Sequence, residues 1–206
     1  MPKSPTKRRP VTVAAVLDAG LGMFLERGFH QASIHDITAA AGLTRGAFYS
    51  NFPTKEALFL AIYDRKTDEM LAEFHDILRS TPTDGDAVAL LLNYAANGGA
   101  GGDNWFLALS EFTVHAARNT DLRAQFADHR ARFTSKLSEL IATVAAAANR
   151  RLDTDVHDLA NVILALHEGT AMLRVTRPPG AGTDALFERM AAVILDALTP
   201  VHTESH

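Results

Sequence analysis

The sequence contains no cysteine. That excludes a disulfide framework, a thiolate nucleophile and any cysteine-ligated metal site, and it suits a reducing compartment. Apolar runs are short: none approaches the roughly 18 residues that a membrane span requires. Met1 to Pro10 carries Lys3, Lys7, Arg8 and Arg9 with no apolar stretch behind it, so a signal peptide is not expected. The expectation is a cytoplasmic protein with no membrane partner. Catalytic signatures are missing too. There is no Gly-x-Ser-x-Gly elbow, no phosphate-cradling glycine loop and no His-Glu-x-x-His pair. His167-Glu168 lacks a second histidine, and His202 and His206 stand in a polar tail after Pro200. The Gly98–Gly102 run has no Lys-Ser/Thr behind it. No enzyme, metal site or cofactor is expected.

Hydrophobic residues make up 47% of the 206 positions and charged residues 21%, which is ample for a buried core and suggests one domain with a small appended module. The net charge is −4 but unevenly placed. Residues 1–60 hold seven Lys/Arg against four acids, a net of +3, and the remaining residues hold 13 bases against 20 acids, a net of −7. This asymmetry points to an anion-binding N-terminal module on an acidic body.

Every long segment has helical periodicity, and none alternates long enough to make a strand. Val13, Leu17, Leu21 and Phe24 define a first helix, capped by Thr12 and stopped at Gly28. A short helix follows from Ser33, another runs from Thr44 to about Asn51, and Pro53-Thr54 restarts the chain as a long helix to about Arg79. Five more helices are predicted over about 84–97, 103–118, 121–149, 155–176 and 183–198. The breaks between them fall at glycine- and proline-rich or capping segments such as Gly98–Gly102 and Pro178-Pro179-Gly180. The fold class is all-α with nine helices. Four segments are expected: a basic tail over 1–10, the anion-binding N-terminal module over 11–53, a helical body over 54–200 and a tail over 201–206.

The sharpest local signal lies between Ser33 and Asn51. Ser33-Ile34-His35-Asp36 is a capping box, with Ala32 and Ile37 placed to staple it. Thr44 caps the next helix, with Leu43 placed to staple Phe48. Two capped helices joined by a Gly42-containing turn make a helix-turn-helix, whose second helix fits a major groove. Arg45 and Lys55 each follow a capping residue directly, at the positive end of a helix dipole where acids are usual. An external phosphate would complete such sites. Arg45 suits bidentate contact with guanine, and Thr44, Tyr49, Ser50 and Asn51 can hydrogen-bond phosphates. Gly46 and Ala47 allow close backbone approach, while Phe48 and Phe52 have core character.

The run from Phe29 to Phe59 resembles the DNA-binding signature of the TetR (tetracycline-repressor-like) family. The matching features are Gly28-Phe29, Ser33, Asp36-Ile37, Ala41-Gly42, Thr44-Arg45-Gly46, Phe48-Tyr49, Phe52 and Lys55-Glu56-Ala57-Leu58. The likeness extends back to about residue 10. It implies phosphate contacts from Ser33, Tyr49, Asn51 and Lys55 and base contacts from Thr44 and Arg45. One departure is visible: Gly20 and Gly22 stand in the first helix where helix formers are usual, each costing roughly 1 kcal/mol relative to Ala.

The resemblance also implies a homodimer on a palindromic operator, released by a small, largely apolar effector. Two-fold symmetry would set recognition helices about 34–36 Å apart. The last two helices carry broad apolar stripes suited to isologous pairing: Leu159, Ile163, Leu166 and Leu173 on one, and Leu186, Phe187, Met190, Ile194 and Leu198 on the other. For the effector, Trp105, Leu109 and Phe112 share a helical face, and Leu71, Phe74 and Leu78 extend the connecting helix. Leu91 and Tyr94 can close a side, and Thr113, His115, His167 and Met172 complete the candidate pocket. A ligand favouring the state with misplaced recognition helices would release DNA, by no more than its differential affinity. The reading is a DNA-binding transcriptional regulator, by default a repressor. The alternative is a helical carrier or interaction module whose helix-turn-helix no longer meets DNA.

Overall fold

The computed structural model describes residues 8–80, 102–147, 151–178 and 186–198. Among these residues there are eight helices and no strand. They are α1 (Arg8–Gln31), α2 (Ile34–Ala40), α3 (Arg45–Tyr49), α4 (Lys55–Ser80), α5 (Gly102–Ala117), α6 (Thr120–Ala147), α7 (Val156–Thr176) and α8 (Leu186–Leu198). The further helix expected over 84–97 lies outside the described residues, as do residues 1–7 of the basic tail.

Local chemistry explains most boundaries. α1 begins at Arg8 rather than after Thr12, so Thr12 is not its cap and residues 8–10 are helical. Pro10 is tolerated there because a first-turn residue has no intrahelical N–H bond to lose. The helix breaks at Gly28, whose φ of 76° and ψ of 172° suit glycine alone. The α2 capping box forms: Ser33 Oγ accepts from the Asp36 N–H at 3.1 Å, and Asp36 Oδ2 accepts from the Ser33 N–H at 3.3 Å. Thr44 caps α3 by accepting from the Ala47 N–H at 3.2 Å, and Thr54 caps α4 by accepting from the Ala57 N–H at 3.0 Å.

The chain divides into two compact units, Met1–Lys66 with Asn104–His129, and Thr67–Asp103 with Arg130–His206. This cuts across the expected boundary at residue 53, and the reason is aromatic packing. Phe59 of α4 stacks on Phe112 of α5 at 4.2 Å, and Phe29 meets both rings edge-on at 5.4 and 5.0 Å. Phe24 packs on Phe59 at 5.1 Å. α1 and α4 therefore share an aromatic core with α5. Gly20 contributes to this packing: a Cβ there would stand 2.8 Å from Leu58 Cδ2 and 3.0 Å from Ile62 Cδ1. Gly22 has nothing within 4 Å, so no packing reason explains it.

The second unit has its own core, with Leu71, Phe74, Phe133, Leu137, Leu140, Leu159 and Phe187 buried. Its α6 and α7 are tied by buried Ser138, whose hydroxyl donates to Thr134 O and lies 2.8 Å from His157 Nδ1. Among the described residues no helix is long and apolar enough to cross a membrane, and no cluster of metal-ligating side chains occurs.

Candidate nucleic-acid interface

α3 is one and a half turns long and has two distinct sides. Phe48 is fully buried and Phe52 nearly so, with their rings 6.0 Å apart, anchoring the helix by its inner side. Thr44, Arg45, Gly46, Tyr49 and Ser50 are exposed. Arg45 and Tyr49, four apart, lie on one side. Arg45 makes no side-chain hydrogen bond or ion pair among the described residues. Tyr49 leaves 49% of its surface in solvent while packing edge-on against the Phe48 ring at 5.4 Å. A Cβ on Gly46 would meet only Thr44 Oγ1, at 3.8 Å. Among the described residues no packing contact requires glycine there.

The predicted polar contacts divide by how far their hydrogen bonds are already spent. Thr44 accepts a bond from its own helix and keeps its hydroxyl proton to donate. Ser33 Oγ donates to Asp36 Oδ2 at 2.6 Å while accepting from the Asp36 N–H, so its hydroxyl is committed to the cap. That commitment holds the Asp36 carboxyl below the usual carboxylate range, chiefly through the Ser33 hydroxyl. Ser50 Oγ donates to Ala47 O at 2.9 Å, and Asn51 Nδ2 donates to the same carbonyl at 2.8 Å.

Lys55 departs most from expectation. Its ammonium donates to Phe29 O at 2.7 Å and Ala32 O at 2.9 Å, with His30 O at 3.4 Å. The charge also sits 4.4 Å from the Phe29 ring centroid. From the sequence, a cation at the start of α4 calls for an outside anion to complete it. Instead, the carbonyls ending α1 complete it, and all three ammonium protons are engaged. Burial pushes the Lys55 pKa below its ordinary value, against the pull of Glu56 and Glu111.

Three features of this unit had no sequence signal. Glu111 on α5 accepts from the His30 N–H at 3.1 Å. His115 lies 3.4 Å from Glu56, and its ring meets that of His30 at 5.5 Å. Arg27 reaches Asp36 at 3.5 Å, bracing α1 against α2.

The expected pocket residues are divided between the two units. In the first unit, Phe112 is fully buried against Phe59, and Trp105 stacks on the same ring at 5.4 Å. Thr113 spends its hydroxyl on Leu109 O, and His115 faces Glu56. Of these, Phe112 is core, and Trp105, Thr113 and His115 are half-buried around it. In the second unit Leu71 and Phe74 are buried, Leu78 is half-buried, and His167 meets the Phe187 ring edge-on at 5.4 Å. Burial lowers the His167 pKa, with Arg174 adding to the effect. Met172 is exposed rather than inward-facing. Leu91 and Tyr94 lie outside the described residues. A cavity of about 410 Å³ does open beside Leu71, lined also by Asp68, His75, Lys136, Glu139 and Thr143.

The expected pairing residues divide by burial. Leu159 and Phe187 are core residues of their own unit, whereas Met190 is exposed and Ile163, Leu166, Leu173, Leu186 and Ile194 are half-buried. The Leu198 side chain lies outside the described residues. The outermost stripe is Val162, Ala165, Gly169 and Met172 on α7 with Val193 on α8. The breadth of the apolar face around Leu159 and Val162 is legible in the sequence, but Ala165, Gly169 and Val193 give no apolar signal that sets them apart.

Comparison with known proteins fits these features. Residues 16–62 match the family model for bacterial regulatory proteins of the tetR family, and residues 101–200 match that for the C-terminal part of BetI-type transcriptional repressors. The HTH-type transcriptional activator FasR of Mycolicibacterium smegmatis is 32% identical over 66 residues, 32% of this chain and 30% of that protein. The chain thus spans about a third or less of the first curated relatives it matches. Among solved structures, the fatty acid degradation regulator FadR of Bacillus halodurans superposes with a TM-score of 0.70 at 18% identity, over 96% of this chain and 98% of that one. FadR of Bacillus subtilis, solved with stearoyl-CoA, gives 0.68 at 18% identity over 92% and 99%.

Proposed function

We propose that this chain, whose residues 16–62 and 101–200 match the models for the tetR family and for BetI-type repressors, is a homodimeric transcriptional repressor of that family that grips a palindromic operator and is released by a small, largely apolar effector. The observation that carries this reading is the two-sided α3, anchored by Phe48 and Phe52 and presenting Arg45, Gly46 and Tyr49 outward. Arg45 is the candidate for bidentate contact with a guanine edge, and Thr44 and Tyr49 for neighbouring bases or phosphates. Gly46 lets the backbone lie against the groove. Ser50 and Asn51 act after releasing bonds within their own helix.

The homodimer is supported by the exposed apolar stripe of α7 and α8. Val162, Met172, Met190 and Val193 leave between 39% and 60% of their surfaces in solvent, and Ala165 and Gly169 between them permit close helix approach. A second copy is the economical cover, because an isologous pair of such faces closes on itself. Repression follows the description of the C-terminal match. For the effector, the stearoyl-CoA held by Bacillus subtilis FadR supports an amphiphile with a long apolar part.

The test is selection from a random duplex pool with the purified protein. The expected product is an inverted repeat whose half-sites are spaced by about one helical turn, with acyl-CoA thioesters then screened for release. Enrichment of nothing at low salt would leave a helical carrier or interaction module as the better account.

A further inference from the structure

The segment from Gly28 to Ala32, the last turn of α1 after its break, leads into α2 and so sets how α2 leaves α1. It is held on both of its polar sides by charged residues from other helices. On the carbonyl side stands Lys55, whose ammonium takes Phe29 O, Ala32 O and His30 O within 3.4 Å. These carbonyls are at the negative end of α1, where a helix lacks internal partners. On the amide side stands Glu111, 81 positions from the His30 N–H that it accepts. Its carboxylate covers Gly28 so closely that a Cβ there would lie 2.8 Å from Oε2 and nearer still to Oε1. Gly28 also has a positive φ, so backbone conformation and contact both demand glycine.

We propose that Glu111 and Lys55 are positioning residues for operator recognition: they clamp the Gly28–Ala32 turn from opposite sides, and Lys55 acts on DNA through that turn and not as a phosphate ligand. The inference rests on the DNA-binding reading above. Neither residue touches a base. Lys55 has no proton left to donate, and an acid such as Glu111 would only repel a phosphate. Their contribution is the orientation of α2 and α3 on the core.

Opposite signs make the clamp testable. Simple electrostatics says that removing an acid near DNA tightens binding, and that removing a phosphate-bound lysine lowers the slope of log affinity against log salt by about 0.9. The clamp predicts otherwise. Operator affinity of the full chain is measured over a salt series for wild type, Glu111→Ala, Glu111→Gln, Lys55→Met and Lys55→Arg. Glu111→Ala is expected to weaken binding by about tenfold. Glu111→Gln, which keeps an acceptor for the His30 N–H without the charge, is expected to stay within about threefold of wild type. Lys55→Met is expected to lose affinity with its salt slope unchanged. Lys55→Arg, which keeps the charge but not three tetrahedral protons, is expected to behave like Lys55→Met. Tighter binding by both Glu111 variants, or a slope reduced by about one in Lys55→Met with Lys55→Arg unaffected, would overturn the clamp. Wild-type protein that enriches no duplex would overturn the DNA-binding reading and the clamp with it. Selective wild-type binding that Glu111→Ala leaves unchanged would overturn the clamp alone.

Discussion

The two turns of the helix-turn-helix both rest on a glycine of positive φ, 76° at Gly28 and 65° at Gly42, yet they are built differently. Gly42 stands open: a Cβ added there would meet nothing within 4 Å. Its turn closes by local bonds from the Gly42 N–H to Ala39 O and the Leu43 N–H to Thr38 O. Gly28 is covered by a carboxylate from α5, and its neighbours' carbonyls are taken by Lys55. The turn before the recognition helix is thus self-contained, whereas the turn that seats the whole module depends on residues far along the chain.

The largest expected effect separates the two. Gly28→Ala adds a steric clash with Glu111 to backbone strain, and it should cost several kcal/mol, on the order of 3, with operator affinity lost. Gly42→Ala meets strain alone and should cost about 1–2 kcal/mol. Denaturant unfolding of both variants checks this; equal costs would mean that the Glu111 contact carries no weight.

The same contrast recurs inside α1, at smaller magnitude. Gly20→Ala intrudes on Leu58 and Ile62 and should destabilise by about 1–3 kcal/mol, whereas Gly22→Ala fills empty space and should stabilise by up to about 1 kcal/mol. Thermal midpoints moving the same way in both would remove close packing as the reason for Gly20.

The smallest effect lies in the second unit. His167 is neutral-favouring in the fold because burial lowers its pKa from 6.5. As pH falls below 6.5, the unfolded chain takes up a proton that folded His167 resists, so stability declines with acidification towards the folded pKa. His167→Gln should flatten that part of the decline. An unaltered pH profile would show that the ring titrates alike in both states.

Legibility in the sequence follows the same division. Ser33, Asp36, Thr44 and Gly42 act on neighbours three or four positions away, and their caps and turn can be read from spacing. So can the two-sided α3. Lys55 stands out in the sequence as anomalous, but its partners lie 23–26 positions back, beyond any local pattern. Glu111 gives no signal at all. The aromatic face of Trp105 and Phe112 looks the same whether it lines a pocket or stacks on Phe59, because periodicity records that a face is covered and not by what. For α7, apolar residues surround so much of the helix that spacing cannot distinguish Leu159, which faces the core, from Val162, which faces out.

Whether the exposed side of α3 reads sequence is decided by titrating wild type and Arg45→Ala against the selected duplex and each of its single-base variants. Wild type is expected to discriminate by about 1–3 kcal/mol at the guanine that Arg45 contacts. Arg45→Ala is expected to lose this discrimination at one base pair in each half-site while retaining it elsewhere. Uniform weakening at every position, with the pattern of preferences intact, would contradict a base-reading role for Arg45.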